Sequence, residues 1–119
     1  MALDIRQLFE TEKLHRRQGL TAADVAQRLD ISSRHLTGVI SQYYGKNFVK
    51  YVNTFRVEDA IDMLKEQGEG GKYAHYTVQA IGEEVGFSGR NAFYSAFKQI
   101  TGVAPLEYMR VLDVATKVD

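Results

Sequence analysis

The chain is 119 residues long, enough for one domain or two small lobes, and its apolar fraction of 45% is ordinary for a globular protein. It has no cysteine, which excludes disulfides and thiolate metal sites, and its single proline excludes a Pro-rich linker. The 15 basic and 15 acidic residues cancel, and no apolar run is long enough to span a bilayer, so a soluble, cytoplasmic protein is expected.

In chain order, Ile5, Leu8 and Phe9 recur at helical spacing and predict an amphipathic first helix over residues 3–14. Arg16, Arg17 and Gly19 read as a loop, solvated or touching an anion. Thr21 with Asp24 three residues on resembles a capping box and starts a short helix. The next helix is expected from about Ser33 to Tyr43, with Leu36, Val39, Ile40 and Tyr43 inward and Gly45 closing it. Asn47 is positioned to cap a long helix carrying Phe48, Val52, Phe55, Ala60, Ile61 and Leu64. On that helix Glu58, Asp59 and Asp62 read as a solvated acidic face, because no histidine or second cluster adjoins them in sequence. The glycine-rich run at 67–71 is a breaker and the most flexible stretch, after which Tyr73 and Tyr76 anchor the chain again.

Residues 77–105 carry the densest pattern. Thr77 is placed to cap a helix with Val78, Ile81 and Val85 on one face, and Gly86 ends it. Phe87 plugs the corner before a second helix, from about Ser88, that turns Phe93, Ala96, Phe97 and Ile100 inward. A short apolar helix, a glycine turn and a helix with a polar outer face are the parts of a helix-turn-helix. The pattern occurs twice. Residues 20–32 align with 76–88, so that Thr21 matches Thr77, Val25 matches Ile81, Leu29 matches Val85 and Ile31 matches Phe87. Asp30 stands where Gly86 stands, and short Asx side chains tolerate that turn. After one extra residue in the second copy, Leu36 matches Phe93, Ile40 matches Phe97 and Gly45 matches Gly102. Leu106 and Tyr108 then suggest a short closing helix, and residues 111–119 are weakly patterned and read as a fraying tail.

With two such units, a connecting helix, and the segments ISSRHLTGVISQYYGKNF and GFSGRNAFYSAFKQITGVAP, the chain resembles the AraC/XylS family of bacterial transcription regulators. The resemblance covers about residues 20–108. It implies an all-α DNA-binding domain of about seven helices, with two recognition helices in neighbouring major-groove segments. The expected organisation is a first helix-turn-helix lobe at 1–46, a linker helix at 47–66, a loop at 67–76, a second lobe at 77–110 and the tail. Double-stranded DNA is the implied partner, together with a sensor domain or the transcription machinery.

On that reading Arg34 and Arg90 are the candidates for bidentate contacts to guanine, and Asn91 for adenine. Thr37, Tyr94 and Ser95 are placed for thymine methyls or water-mediated contacts. Lys46, Lys50 and Lys98 are assigned to phosphate, flanked by Ser33, His35, Ser41 and Ser88, with the helix N-termini near Thr21 and Thr77 adding amides. Arg56 is assigned to phosphate, to solvent or to a structural salt bridge. Gly38 and Ser95 occupy matching places where the family often has a large basic residue. Gly38 therefore marks either a close approach of helix backbone to DNA or an unused position.

A net charge of zero is unusual for a DNA-binding domain. The charges are segregated, however. Residues 31–57 and 85–106 contain no acid and hold Arg34, Lys46, Lys50, Arg56, Arg90 and Lys98, leaving nine basic against fifteen acidic residues elsewhere. The alternative is a helix-turn-helix module that binds another protein. An enzyme is not expected: His15, His35 and His75 lack metal-ligand spacing, and no phosphate-cradling loop or nucleophile–base pattern occurs. No cofactor is expected either.

Overall fold

The computed structural model describes residues 1–67 and 73–118, with side chains described through Leu112. The glycines of the expected breaker, from Gly68 onward, lie outside these residues. The described chain forms seven α-helices and one 3-10 turn: α1 (Ala2–Glu12), the turn Leu14–Arg16, α2 (Ala22–Arg28), α3 (Ser33–Tyr44), α4 (Phe48–Gln67), α5 (Val78–Glu84), α6 (Arg90–Thr101) and α7 (Pro105–Val118).

Local chemistry explains where these helices begin. At α2 the Thr21 hydroxyl accepts from the Asp24 amide, and the Asp24 carboxylate accepts from the Thr21 amide at 2.9 Å, a complete capping box. Ser32 caps α3 through the His35 amide, Asn47 caps α4 through the Lys50 amide, and Thr77 caps α5 through the Ala80 amide. Gly45 and Gly102 end α3 and α6 in the left-handed region.

The sequence repeat is also a repeat of hydrogen bonds. In the first unit the Ile31 amide donates to the Ala26 carbonyl and the Asp30 amide to Gln27. In the second, Phe87 donates to Gly82 and Gly86 to Glu83, at matching positions. Asp30 takes a φ of 54° and Gly86 one of 115°, so both turns need a residue that accepts positive φ. A volume exchange accompanies the repeat. Where the first unit has Ala26 and Leu36, the second has Gly82 and the larger Phe93, and a Cβ on Gly82 would lie 2.4 Å from Phe93 Cδ2.

Two cores result. The first joins Ile5 and Phe9 of α1 to Val25, Ala26, Leu36, Val39, Ile40, Tyr51 and Val52. The second joins Val57, Ala60, Met63 and Leu64 to Tyr73, Ile81, Val85, Phe87, Phe93, Ala96 and Phe97. Helix α4 belongs to both. The step from Val52 to Val57 turns about 140° around the helix at 3.6 residues per turn, so α4 shows one face to each lobe. The molecule is accordingly elongated, 48 × 26 × 24 Å.

Three side chains depart from the pattern read in the sequence. Tyr43, expected inward, is 64% exposed. Tyr44 turns in instead, with its hydroxyl donating to the Ala2 carbonyl at 2.7 Å and its ring 5.0 Å from that of Tyr51. Leu106 is 55% exposed, and Tyr108 is the residue that packs edge-on against Phe97. The closing helix continues to Val118, well into the stretch expected to fray. Tyr73 and Tyr76 do anchor the return of the chain, stacked edge-to-face at 5.1 Å, with the Gln67 amide donating to the Tyr76 carbonyl.

Candidate nucleic-acid interface

Each helix-turn-helix buries one stripe of its second helix and leaves the rest in solvent. On α3, Leu36, Val39 and Ile40 are buried, while Ser33, Arg34, His35, Gly38 and Ser41 are exposed. On α6, Phe93, Ala96 and Phe97 are buried, while Arg90, Asn91, Ser95 and Lys98 are exposed, with Ser88 exposed just before the helix. The pattern therefore brings the candidate base-reading residues onto the outer faces of the two second helices.

Particular groups on these faces are already engaged. The Thr37 hydroxyl donates to the Arg34 carbonyl at 3.2 Å, which leaves its oxygen as an acceptor and its methyl for apolar contact. The Arg90 guanidinium lies 4.8 Å from the ring centroid of half-buried Tyr94, and that ring meets Phe93 edge-on. A cation–π contact of this kind holds the arginine fork in a preferred place. Sequence reading listed Arg90 and Tyr94 separately; their i, i+4 spacing was the signal that they stack. Among the described residues, Arg34, Arg90, Lys50 and Lys98 form no ion pair, so their charge is free to meet an anion.

Three assignments change. Arg56 is not turned outward: its Nε donates to the His15 carbonyl at 2.7 Å, its Nη2 donates to the Arg17 carbonyl at 3.0 Å, and its guanidinium lies 5.5 Å from the centre of Phe87. Burial lowers its pKa from the usual arginine value. Lys46, half-buried in the loop between α3 and α4, lines a cleft with Tyr44, Glu10 and Glu58 and keeps its assignment. The Thr21 amide is occupied by the Asp24 carboxylate, which puts a negative charge where a phosphate would bind. Asp59 is not part of a solvated face. Its side chain is 10% exposed and accepts from His15 Nε2 at 2.8 Å and from Arg16 Nε and Nη2 at 2.7 and 2.8 Å. Burial alone would raise the Asp59 pKa, but the hydrogen bonds from Arg16 and His15 outweigh it and hold the carboxyl well below the usual range. Arg16 is thereby removed from the solvated loop, and its own pKa is raised by the hydrogen bond to Asp59. Nothing in the local sequence marks this cluster, whose members stand 43 and 44 residues apart.

Taken together, fold and faces define a tandem helix-turn-helix domain with two solvent-facing polar helices on a shared linker. A family model described as a helix-turn-helix domain matches residues 25–111. An uncharacterized HTH-type transcriptional regulator of Mycobacterium tuberculosis is 35% identical over 100 residues, covering 82% of this chain and 27% of that protein. Another, from Escherichia coli, is 30% identical over 91 residues, covering 76% and 30%. Among solved structures, the C-terminal domain of AraT, a response regulator from Geobacillus stearothermophilus, superposes with a TM-score of 0.76 at 28% identity, covering 92% of this chain and 84% of that one. The DNA-binding domain of AdpA, a global transcriptional factor solved with a target DNA, shares the fold with a TM-score of 0.76 at 19% identity, covering 96% and 94%. The chain belongs to the AraC-type family of helix-turn-helix transcription regulators. It spans less than a third of the length of these two regulators.

Proposed function

We propose that the chain is a sequence-specific double-stranded DNA-binding domain, the output part of a bacterial transcription regulator, which lays α3 and α6 into adjacent major-groove segments. The observation that carries this reading is the pair of exposed, acid-free second helices in a family of transcription regulators. Arg34 and Arg90 read guanine, Asn91 reads adenine, and Thr37, Tyr94 and Ser95 supply apolar or water-mediated contacts. Lys46, Lys50 and Lys98, with Ser33, His35, Ser41, Ser88 and the Thr77 end of α5, hold phosphates. The protein acts in the cytoplasm, binds no cofactor and catalyses no reaction. Its remaining partner is a sensor domain or the transcription machinery.

Selection of binding sites from random duplex DNA, at stated salt, tests this. A continuous bipartite site is expected. Arg34→Ala and Arg90→Ala each relax preference in a different half, by about 1–3 kcal/mol of discrimination. With Arg56 engaged elsewhere, log K falls with log salt at a slope of magnitude roughly 3–5, at about 0.9 per neutralised phosphate. Selected pools without sequence preference, or substitutions without effect, favour the protein-binding module instead.

Gly38 gives a separate prediction. A Cβ built there meets nothing within 4 Å, so Gly38→Ala removes only the backbone freedom of glycine. Stability is expected to rise by about 0.5–1 kcal/mol, read as a higher Tm. DNA binding is expected to weaken, because a methyl group stands where the groove closes on the helix. Melting and fluorescence anisotropy on one preparation decide it: a stabler variant with unchanged affinity means the glycine has no role at the groove.

A further inference from the structure

The two lobes have separate cores joined through α4, and a bipartite site demands that the two reading helices keep a fixed rotation and separation. One continuous helix sets the distance. Rotation about that helix needs a contact away from its axis.

That contact lies where the turn of the second unit meets the chain just before the first. His15 is 2% exposed and stacks between Phe9 and Phe55, at 6.3 and 5.8 Å, so it belongs to the aromatic cluster of the first lobe. Its carbonyl and that of Arg17 are both held by Arg56 from α4, while its ring and the Arg16 guanidinium are held by Asp59 one turn further along the same helix. On the far side is the turn of the second unit. The Arg56 guanidinium covers Phe87, and the backbone of Gly86 comes so close that a Cβ would lie 2.3 Å from the His15 carbonyl oxygen. Gln18 adds a longer hydrogen bond from Nε2 to the Phe87 carbonyl at 3.4 Å. The segment ahead of the first reader is thus fastened to the turn ahead of the second.

We infer that Arg56 and Asp59 form a latch that fixes the phase between the two recognition helices, and so select operators by the spacing of their half-sites. The inference rests on the DNA-binding reading above. Both are positioning residues, because each spends its polar atoms on the segment His15–Arg16–Arg17 and acts through it. The ligand property they recognise is geometric. One base pair inserted between half-sites rotates them by roughly 35° and separates them by about 3.4 Å.

The test uses the operator found by selection, together with versions carrying one or two base pairs inserted or removed between its halves. Affinities are measured for the wild type, Arg56→Met, Arg56→Lys and Asp59→Asn. The wild type is expected to lose at least about tenfold in affinity for a one-base-pair change, equivalent to roughly 1.4 kcal/mol. Arg56→Met, which keeps the aliphatic stem over Phe87 but loses both donors, is expected to show a penalty under about threefold. Its salt slope and its binding to an isolated half-site should match the wild type. Asp59→Asn, which keeps the shape of the side chain, is expected to flatten the penalty in the same direction, and Arg56→Lys to restore part of it. If folded Arg56→Met and Asp59→Asn retain the full spacing penalty, the latch is overturned. It is equally overturned if Arg56→Met weakens all duplexes alike and lowers the salt slope by about one, the signature of a phosphate contact. A wild type without sequence preference overturns the DNA-binding reading itself, and that outcome is visible before any variant is made.

Discussion

Gly86→Ala is expected to destabilise the protein by roughly 2–5 kcal/mol, from two separable causes. The first is conformational. At a φ of 115° an L side chain crowds its own backbone, at a cost of about 1–2 kcal/mol for the milder left-handed region and no less here. The second is packing, since the new Cβ falls 2.3 Å from the His15 carbonyl oxygen and 2.7 Å from Arg56 Nε. The carbonyl is backbone and cannot rotate away, so the turn of the second unit must retreat from the first lobe. Overpacking of this kind costs about 1–3 kcal/mol. Gly45→Ala separates the causes. It has a φ of 65° and nothing within 4 Å, so it carries the conformational cost alone. Urea unfolding of both variants measures the difference. If Gly86→Ala is no worse than Gly45→Ala, the close approach to His15 contributes nothing to stability.

The same residue shows how far the sequence could be read. Matching Asp30 with Gly86 correctly located two turns of one geometry, because a turn is settled by hydrogen bonds a few residues apart. The caps at Thr21, Asn47 and Thr77 were legible for the same reason, each being a side chain bonded to an amide three residues on. Periodicity also placed the buried stripes of α3 and α6, and with them the outward faces that carry Arg34 and Arg90. It could not choose between Tyr43 and Tyr44. Those two positions lie three and four residues after Ile40, on the same side of the helix, and the choice falls to Ala2 and Tyr51, which reach Tyr44 from α1 and α4. For helix α4 the sequence shows a run of apolar residues without dividing them between partners, and the structure shares them between two cores. The latch was invisible. His15, Arg16, Arg56 and Asp59 carry ordinary polar side chains in unremarkable local company, and only tertiary contact gives them partners about forty residues away.

Asp59→Ala should show the strength of that tertiary contact as a dependence on acidity. At neutral pH the substitution leaves buried His15 Nε2 and half-buried Arg16 without their carboxylate. Removing one partner of a buried ion pair is worse than never having had the pair, because the other group stays desolvated and unsatisfied. Arg16 recovers some solvent, so a cost of roughly 2–4 kcal/mol is expected, read as a fall in Tm on the order of 10 °C. The folded-state pKa of Asp59 is depressed by Arg16 and His15 against the opposing effect of burial. A group with a depressed pKa stabilises the fold above its unfolded value, about 3.9 for an aspartate, and that contribution is lost as pH falls from there through the folded value. The stability gap between wild type and variant should therefore stay level from neutral pH down to about 5. Below about pH 4 it should narrow, because the unfolded wild type binds a proton at Asp59 that the folded protein does not, whereas the variant has no such group in either state. Urea unfolding of both proteins at several pH values measures the gap directly. A gap that stays level to pH 3 would mean the Asp59 charge contributes little and the loss is one of packing alone.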